Sequence, residues 1–278
     1  MKIAISAEST IDLPKELLEK YDIHTVPFQV LLGDVEYKDG EIKPTEIFEY
    51  VKQNKVLPKT SAINSVQYQE YFEGLLKEYD EVVHICLSSK ISSSCSHAIE
   101  TSNKMKNVFI VDSLSLSTGI ALLAVYAREL ASAGASAEEV YEKTCSQVEK
   151  VQASFVIDRL DYLHKGGRCS ALALFGANLL KIHPQIMVED GKMGVHKKYR
   201  GKMEKVVEDY CKDCLQEFSN ANKKLAFITY TTASEEMVSI AKKALTENGF
   251  ETIYETKAGA TISSHCGENT LGILFLNN

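Results

Sequence analysis

The sequence predicts an α/β protein of two lobes, a parallel-sheet lobe over residues 1–150 and a mixed α/β lobe over residues 151–278. Three observations carry this. Strand-like and helix-like patterns alternate through the first half, which demands crossover connections and a largely parallel sheet. Past residue 150 the pattern changes to a tight hairpin followed by a second strand–helix–strand unit. The chain of 278 residues is also longer than one average domain.

Lys2–Ser6 reads as the first strand, and Asp12-Leu13-Pro14 as a helix start with Asp12 as cap and Pro14 in the first turn. Leu13, Leu17 and Tyr21 then share a helical face. Ile23–Leu32 is rich in β-formers, with an edge or break at Pro27. Helices follow at Thr45–Gln53 and Ser65–Tyr79, the second striped by Tyr68, Tyr71, Phe72, Leu75 and Leu76. Glu81–Leu87 and Asn107–Asp112 are compact buried strands, and Thr118 to about Ala133 is a long helix. Ligands on such sheets gather at the carboxyl ends of strands, so Ser88–Ser94 and Ser113–Thr118 fall on the functional rim.

In the second half, Ala153–Ile157 reads as a strand, followed by Leu160–Leu163 and the Gly166-Gly167 pair. Asp190-Gly191 between Ile186–Glu189 and Lys192–Val195 signals a type I′ hairpin. Helix Lys202–Phe218, strand Leu225–Tyr230, helix Ser234–Glu247 and strands Glu251–Thr256 and Leu271–Leu276 complete the unit.

Bulk chemistry narrows the function. A net charge of −7 argues against a nucleic-acid partner, which needs a concentrated basic surface. The short basic run His196–Lys202 reads as a solvated turn. Seven cysteines without a repeating spacing suit a reducing cytoplasm. Lys2–Ser6 runs straight into polar Glu8 with no secretory leader pattern. The longest apolar stretch, Gly119–Ala127, breaks at Arg128-Glu129 and reads as a buried helix, so no integral membrane segment is expected.

GxGxxG, P-loop, HExxH and GxSxG motifs are missing, and Cys211-Lys212-Asp213-Cys214 is one CxxC inside a helical pattern, read as structural. Thr60, Ser61 and Ser65 lie in a segment that reads as a loop before a helix, where hydroxyls cap and turn the chain. The loop Leu87–Ser94 is more suggestive. A hydroxyl-rich loop at a helix N-terminus offers N–H groups and the positive dipole end to an anion, although a merely polar loop with Ser92 as cap fits the segment equally. His265 falls in Thr261–Gly267 between two strand-like stretches, and Gly166 or Gly167 can end a helix in a left-handed conformation.

Taken in order, Pro58–Ser61, Ser88–Ser92, Val111-Asp112-Ser113, Leu160–Arg168 and His265-Cys266-Gly267 before Leu271-Gly272 resemble the signature pieces of the DegV family from end to end. Three places depart from that pattern. Ser93 stands where the family usually has Gly, His183-Pro184-Gln185-Ile186 where it has Lys-Pro-Ile, and Glu268-Asn269 where a Pro-Gly pair is common.

The resemblance implies a DegV-like two-lobed fold with a ligand tunnel between the lobes. It implies a long-chain fatty acid as ligand, no cofactor or metal, and no independent enzymatic activity. The carboxylate would be presented to a partner fatty acid kinase that forms an acyl phosphate. Matched by position, the carboxylate contacts are Thr60, Ser61, Ser92, Ser93 and His265, with Thr60, Ser61 and Ser92 from the first lobe and His265 from the second. Arg168 would shape the head region or touch the partner. The competing reading is a serine hydrolase acting on lipid or acyl esters, built from Ser92, His265 and Asp112.

Overall fold

The computed structural model describes residues 2–169 and 182–278. In the first lobe, β1 (Ile3–Glu8), β2 (Ile23–Val26), β6 (Glu81–Cys86) and β7 (Val108–Asp112) form a parallel sheet in the order β2-β1-β6-β7. These strands are short and mostly buried, as expected for a sheet covered on both faces. The crossovers carry α1 (Lys15–Lys20), α3 (Ser65–Leu75), α4 (Ser94–Ser102) and, after β7, α5 (Thr118–Ser132) and α6 (Ala137–Cys145).

A second, three-stranded sheet sits on the edge of this lobe, with order β4-β3-β5 from β3 (Gln29–Leu32), β4 (Val35–Lys38) and β5 (Lys59–Ser61). It is antiparallel throughout, and α2 (Pro44–Asn54) covers it. Its core of Val30, Ile47, Phe48 and Val51 also takes in Tyr162 and Ala260 from the second lobe. The loop expected at Thr60-Ser61 is therefore a strand. Three residues hold that conformation because β3 offers them a ladder, which no local propensity could reveal.

The later part of the chain builds a sheet of its own. From β8 (Val151–Val156), β9 (His183–Glu189), β10 (Lys192–Tyr199), β11 (Ala221–Tyr230), β12 (Thr252–Lys257) and β13 (Leu271–Asn277) it builds a six-stranded mixed sheet, order β10-β9-β8-β13-β11-β12. Asp190 and Gly191 both take positive φ, 49° and 79°, as the predicted hairpin turn requires. Helices α8 (Met203–Glu217) and α9 (Glu235–Glu247) bury Val206, Tyr210, Cys211, Cys214, Met237 and Ala241 against one face. Cys211 and Cys214 are core residues with free thiols.

The other face meets α5. From Thr118 to Val125 every residue of this helix is buried, and it packs against strands of both sheets. A helix apolar on all sides is a core element, and one continuous apolar cluster runs through it from Ile5 and Val83 to Phe155, Phe227 and Leu274. The two lobes thus share a core. Among the described residues no helix is long and apolar enough to cross a membrane.

Asp12 does not cap α1. Its backbone is left-handed (φ 55°), Pro14 takes the N-cap place, and its buried carboxyl crosses to the other lobe. It accepts the Ser117 hydroxyl at 2.5 Å and the Gly259 N–H at 2.7 Å. Asp39 accepts the neighbouring Ala260 N–H at 2.8 Å. Both carboxyls meet the start of α10 (Ala260–Cys266), where the unsatisfied N–H groups favour acceptors.

Candidate functional site

The segment read as lying between strands at Thr261–Gly267 is α10, and it sets His265 against the three-stranded sheet. Thr60 Oγ1 and His265 Nε2 are 2.8 Å apart. Around this pair lies a cavity of about 560 Å³ between the lobes. Its polar lining includes Thr60, His265, Ser92, Ser93 and Arg168, and its apolar lining Phe28, Leu116, Leu163, Met193, Ile262 and Cys266. A smaller apolar void of about 30 Å³ adjoins it through Leu116, Ile262 and Cys266 and reaches Phe155 and Leu274.

Strand geometry decides which hydroxyls face inward. Successive residues of β5 point to opposite faces; Thr60 and Ala62 line the cavity, whereas Ser61 between them is exposed and lies outside the lining. Four of the five expected carboxylate contacts therefore share one cavity, and Ser61 does not join them.

Ser92 and Ser93 stand at the entrance to α4. The Ser94 N–H donates to Ser92 Oγ at 3.1 Å, and Ser93 takes the N-cap place in helical conformation. The positive end of a nine-residue helix faces this rim. From the second lobe the hairpin tip closes over the same loop, with the Ser88 hydroxyl donating to the Gly191 carbonyl at 2.7 Å.

Burial, with help from the Arg168 charge, holds the His265 imidazole neutral and pushes its pKa down to about 4. Its Nδ1 is buried and has no hydrogen-bond partner among the described residues. Gly166 at the end of α7 (Leu160–Gly166) packs against that nitrogen; a Cβ there would come within 2.7 Å of it. Gly167 ends α7 in the left-handed region at φ 71°. Arg168 follows, exposed, with Nη1 donating to the Gly166 carbonyl at 2.6 Å.

Thr60, His265 and Arg168 also border a second, outer cavity of about 380 Å³. Lys55, Lys59 and Lys165 line it with Arg168, and among the described residues no Asp or Glu does. The Thr60–His265 pair is the wall between a cavity with a large apolar surface and a basic vestibule.

Among the described residues Ser92, His265 and Asp112 make no hydrogen bond to one another. His265 Nε2 bonds Thr60 rather than Ser92, and Asp112 Oδ1 accepts the Ser89 and Leu114 N–H groups at 3.1 Å each. The departures at residues 268–269 face away from the cavity. Glu268 lies 3.9 Å from Arg159, and the Asn269 amide donates to Asp158 at 3.0 Å.

Of the apolar wall, Phe28 and Met193 escape sequence reading because they look like ordinary strand core, whereas Leu116, Leu163, Ile262 and Cys266 lie inside segments that carried a signal. The sequence model of the DegV family matches residues 2–278. A fatty acid-binding protein of Thermotoga maritima is 32% identical over 281 residues, covering 98% of this chain and 96% of that protein. The structure of a fatty-acid-binding DegV family protein of Thermus thermophilus superposes with a TM-score of 0.92 at 26% identity over the whole of both chains. The fatty acid binding protein DegV of Bacillus subtilis gives 0.87 at 29% identity, again over both whole chains.

Proposed function

The chain belongs to the DegV family, and on that premise we propose that it is a cytoplasmic fatty-acid carrier without turnover of its own. It holds a long-chain fatty acid between its lobes and presents the carboxylate to a partner kinase that forms the acyl phosphate. The relatives from Thermotoga, Thermus and Bacillus named for fatty acid binding support the ligand class.

The observation that carries the reading is the position of the Thr60–His265 pair between the interlobe cavity and the basic vestibule. An acyl chain would lie along Phe28, Leu116 and Ile262 toward Phe155. Its carboxylate would meet Thr60, Ser92, Ser93 and His265. A volume of about 560 Å³ falls within the ~300–1,000 Å³ typical of small-molecule sites. Each buried methylene contributes about 0.8 kcal/mol, so a chain of roughly 15 contributes about 12 kcal/mol before ordering costs. Each neutral hydroxyl or imidazole contact adds only ~0.5–1.5 kcal/mol. The tail sets affinity and the polar end sets orientation. Arg168 and the vestibule lysines would receive the negatively charged phosphoryl donor at the open side.

Mass spectrometry of lipid extracted from the purified protein tests the carrier reading, with a stoichiometric long-chain fatty acid expected. Lipid-free extracts together with no binding of added palmitate would overturn it. The kinase step is tested separately by adding a fatty acid kinase and ATP to the loaded protein and measuring acyl phosphate.

A further inference from the structure

Glu8 ends β1 directly behind the serine loop, fully shielded from solvent. Its Oε2 accepts the Leu87 N–H, and its Oε1 accepts the Tyr68 hydroxyl at 2.7 Å. Tyr68 Oη is also 2.8 Å from Ser94 Oγ, and the Ser94 N–H donates to Ser92 Oγ. One carboxyl group is thus tied to both ends of the loop whose residues Leu87 and Ser89–Ser93 line the cavity.

No cation faces this carboxyl among the described residues. Tyr68 approaches from α3, His84 and Cys86 from β6, and Asp112 from the end of β7, with Cys95 of α4 behind Cys86. His84 is kept neutral by burial. Burial is also the main cause that pushes Glu8 up to about 7, with Asp112 adding to it. Both protonation states are therefore within reach near neutral pH.

The two states order the loop hydroxyls differently. Ionised, Glu8 accepts from Tyr68, and the Ser94 hydroxyl must donate to Tyr68 Oη. Protonated, Glu8 donates to Tyr68 Oη, the Tyr68 proton turns to Ser94 Oγ, and the remaining carbonyl oxygen keeps the Leu87 N–H. An anion seated at Ser92 and the start of α4 would add a second negative charge in front of the same loop. Like charges favour the neutral form of Glu8, and by linkage the neutral form favours the anion.

Resting on the fatty-acid reading, we propose that Glu8 is a positioning residue for the head group, setting the serine loop from behind, and that the ligand anion and a proton on Glu8 are bound together. The coupling belongs to the anionic head and extends to any long-chain anion that fits.

The test uses the full chain with palmitate and with hexadecanesulfonate, which stays charged at every pH used. Affinities are measured from pH 6 to 8 for wild type and Glu8→Gln, since Gln reproduces the neutral carboxyl's donor and acceptor. Wild-type affinity for both ligands is expected to fall about tenfold across this range, and Glu8→Gln should be flat near the wild-type value at pH 6. The same slope in both proteins, or a uniform loss at all pH values in Glu8→Gln, overturns the coupling. Should Glu8→Gln fail to fold, the ¹³C shift of the wild-type Glu8 carboxyl decides. Its midpoint should rise when hexadecanesulfonate binds, and an unmoved midpoint overturns the proposal. Failure of wild type to bind either ligand at any pH overturns the fatty-acid reading itself, whereas binding with a flat profile overturns the coupling alone.

Discussion

Thr60 and His265 are 205 positions apart in the chain, yet the hydroxyl of one and the ring nitrogen of the other meet at 2.8 Å. β5 supplies the first and α10 the second, so the contact exists only when the small antiparallel sheet and the second lobe are docked. It marks the boundary between the interlobe cavity and the basic vestibule.

His265→Ala should weaken fatty-acid binding modestly, by roughly three- to tenfold, the loss of a single neutral hydrogen bond. Phosphoryl transfer by an added kinase should fall much further, because that step depends on where the carboxylate is held. Affinity and acyl phosphate formation are measured side by side. Equal losses in both would show that His265 contributes binding energy alone.

Gly166→Ala should mimic this loss while the imidazole itself is retained. The new Cβ would sit 2.7 Å from His265 Nδ1 and push the ring off Thr60. Gly74→Ala on α3 is the control, since a Cβ there meets nothing within 4 Å. It should stabilise the fold by about 0.5–1 kcal/mol and leave the ligand untouched. Urea unfolding and palmitate titration of both variants check the pair.

Gly191→Ala should disturb the contact between the hairpin tip and the serine loop. Gly191 has φ 79°, and a Cβ would fall 2.6 Å from Ser88 Oγ and 2.9 Å from Leu114 Cδ2. A destabilisation of about 1–3 kcal/mol is expected, with weaker ligand binding. Unchanged stability and affinity would mean that the hairpin does not hold the loop.

Stability should fall as pH rises from about 5 to 8. Burial raises Glu8 from an ordinary value of 4.5 to about 7 and Asp12 from 3.8 to about 8. Groups raised on folding stabilise fully below their unfolded values, and that contribution is lost as pH rises through the folded ones. Glu8 alone accounts for up to about 3 kcal/mol. His84 acts in the opposite direction: lowered from 6.5 to about 3, its contribution is complete above 6.5 and lost as pH falls toward 3. Urea midpoints across pH 5–8 should decline for wild type and decline less for Glu8→Gln. Parallel curves would assign the slope elsewhere.

The α/β class, a strand over most of Ala153–Ile157 and the Asp190-Gly191 hairpin were legible in the sequence, because each follows from short-range causes. Apolar runs between turn residues make buried strands, 3.6-residue stripes make helices, and two residues accepting positive φ make a tight turn. The candidate site residues stood out only as an ordered set of weak motifs, since each segment by itself reads as a cap or a polar loop.

Tertiary structure alone decided how those residues face one another. β5 is a strand because β3 pairs with it, and the two-residue alternation of that strand turns Thr60 inward and Ser61 out to solvent. Asp12 carries a cap-like signature, yet its backbone is left-handed and its carboxyl reaches Gly259, 247 positions away, at the start of the helix that bears His265. Both outcomes rest on hydrogen-bond partners distant in the chain, so periodicity and propensity carry no trace of them.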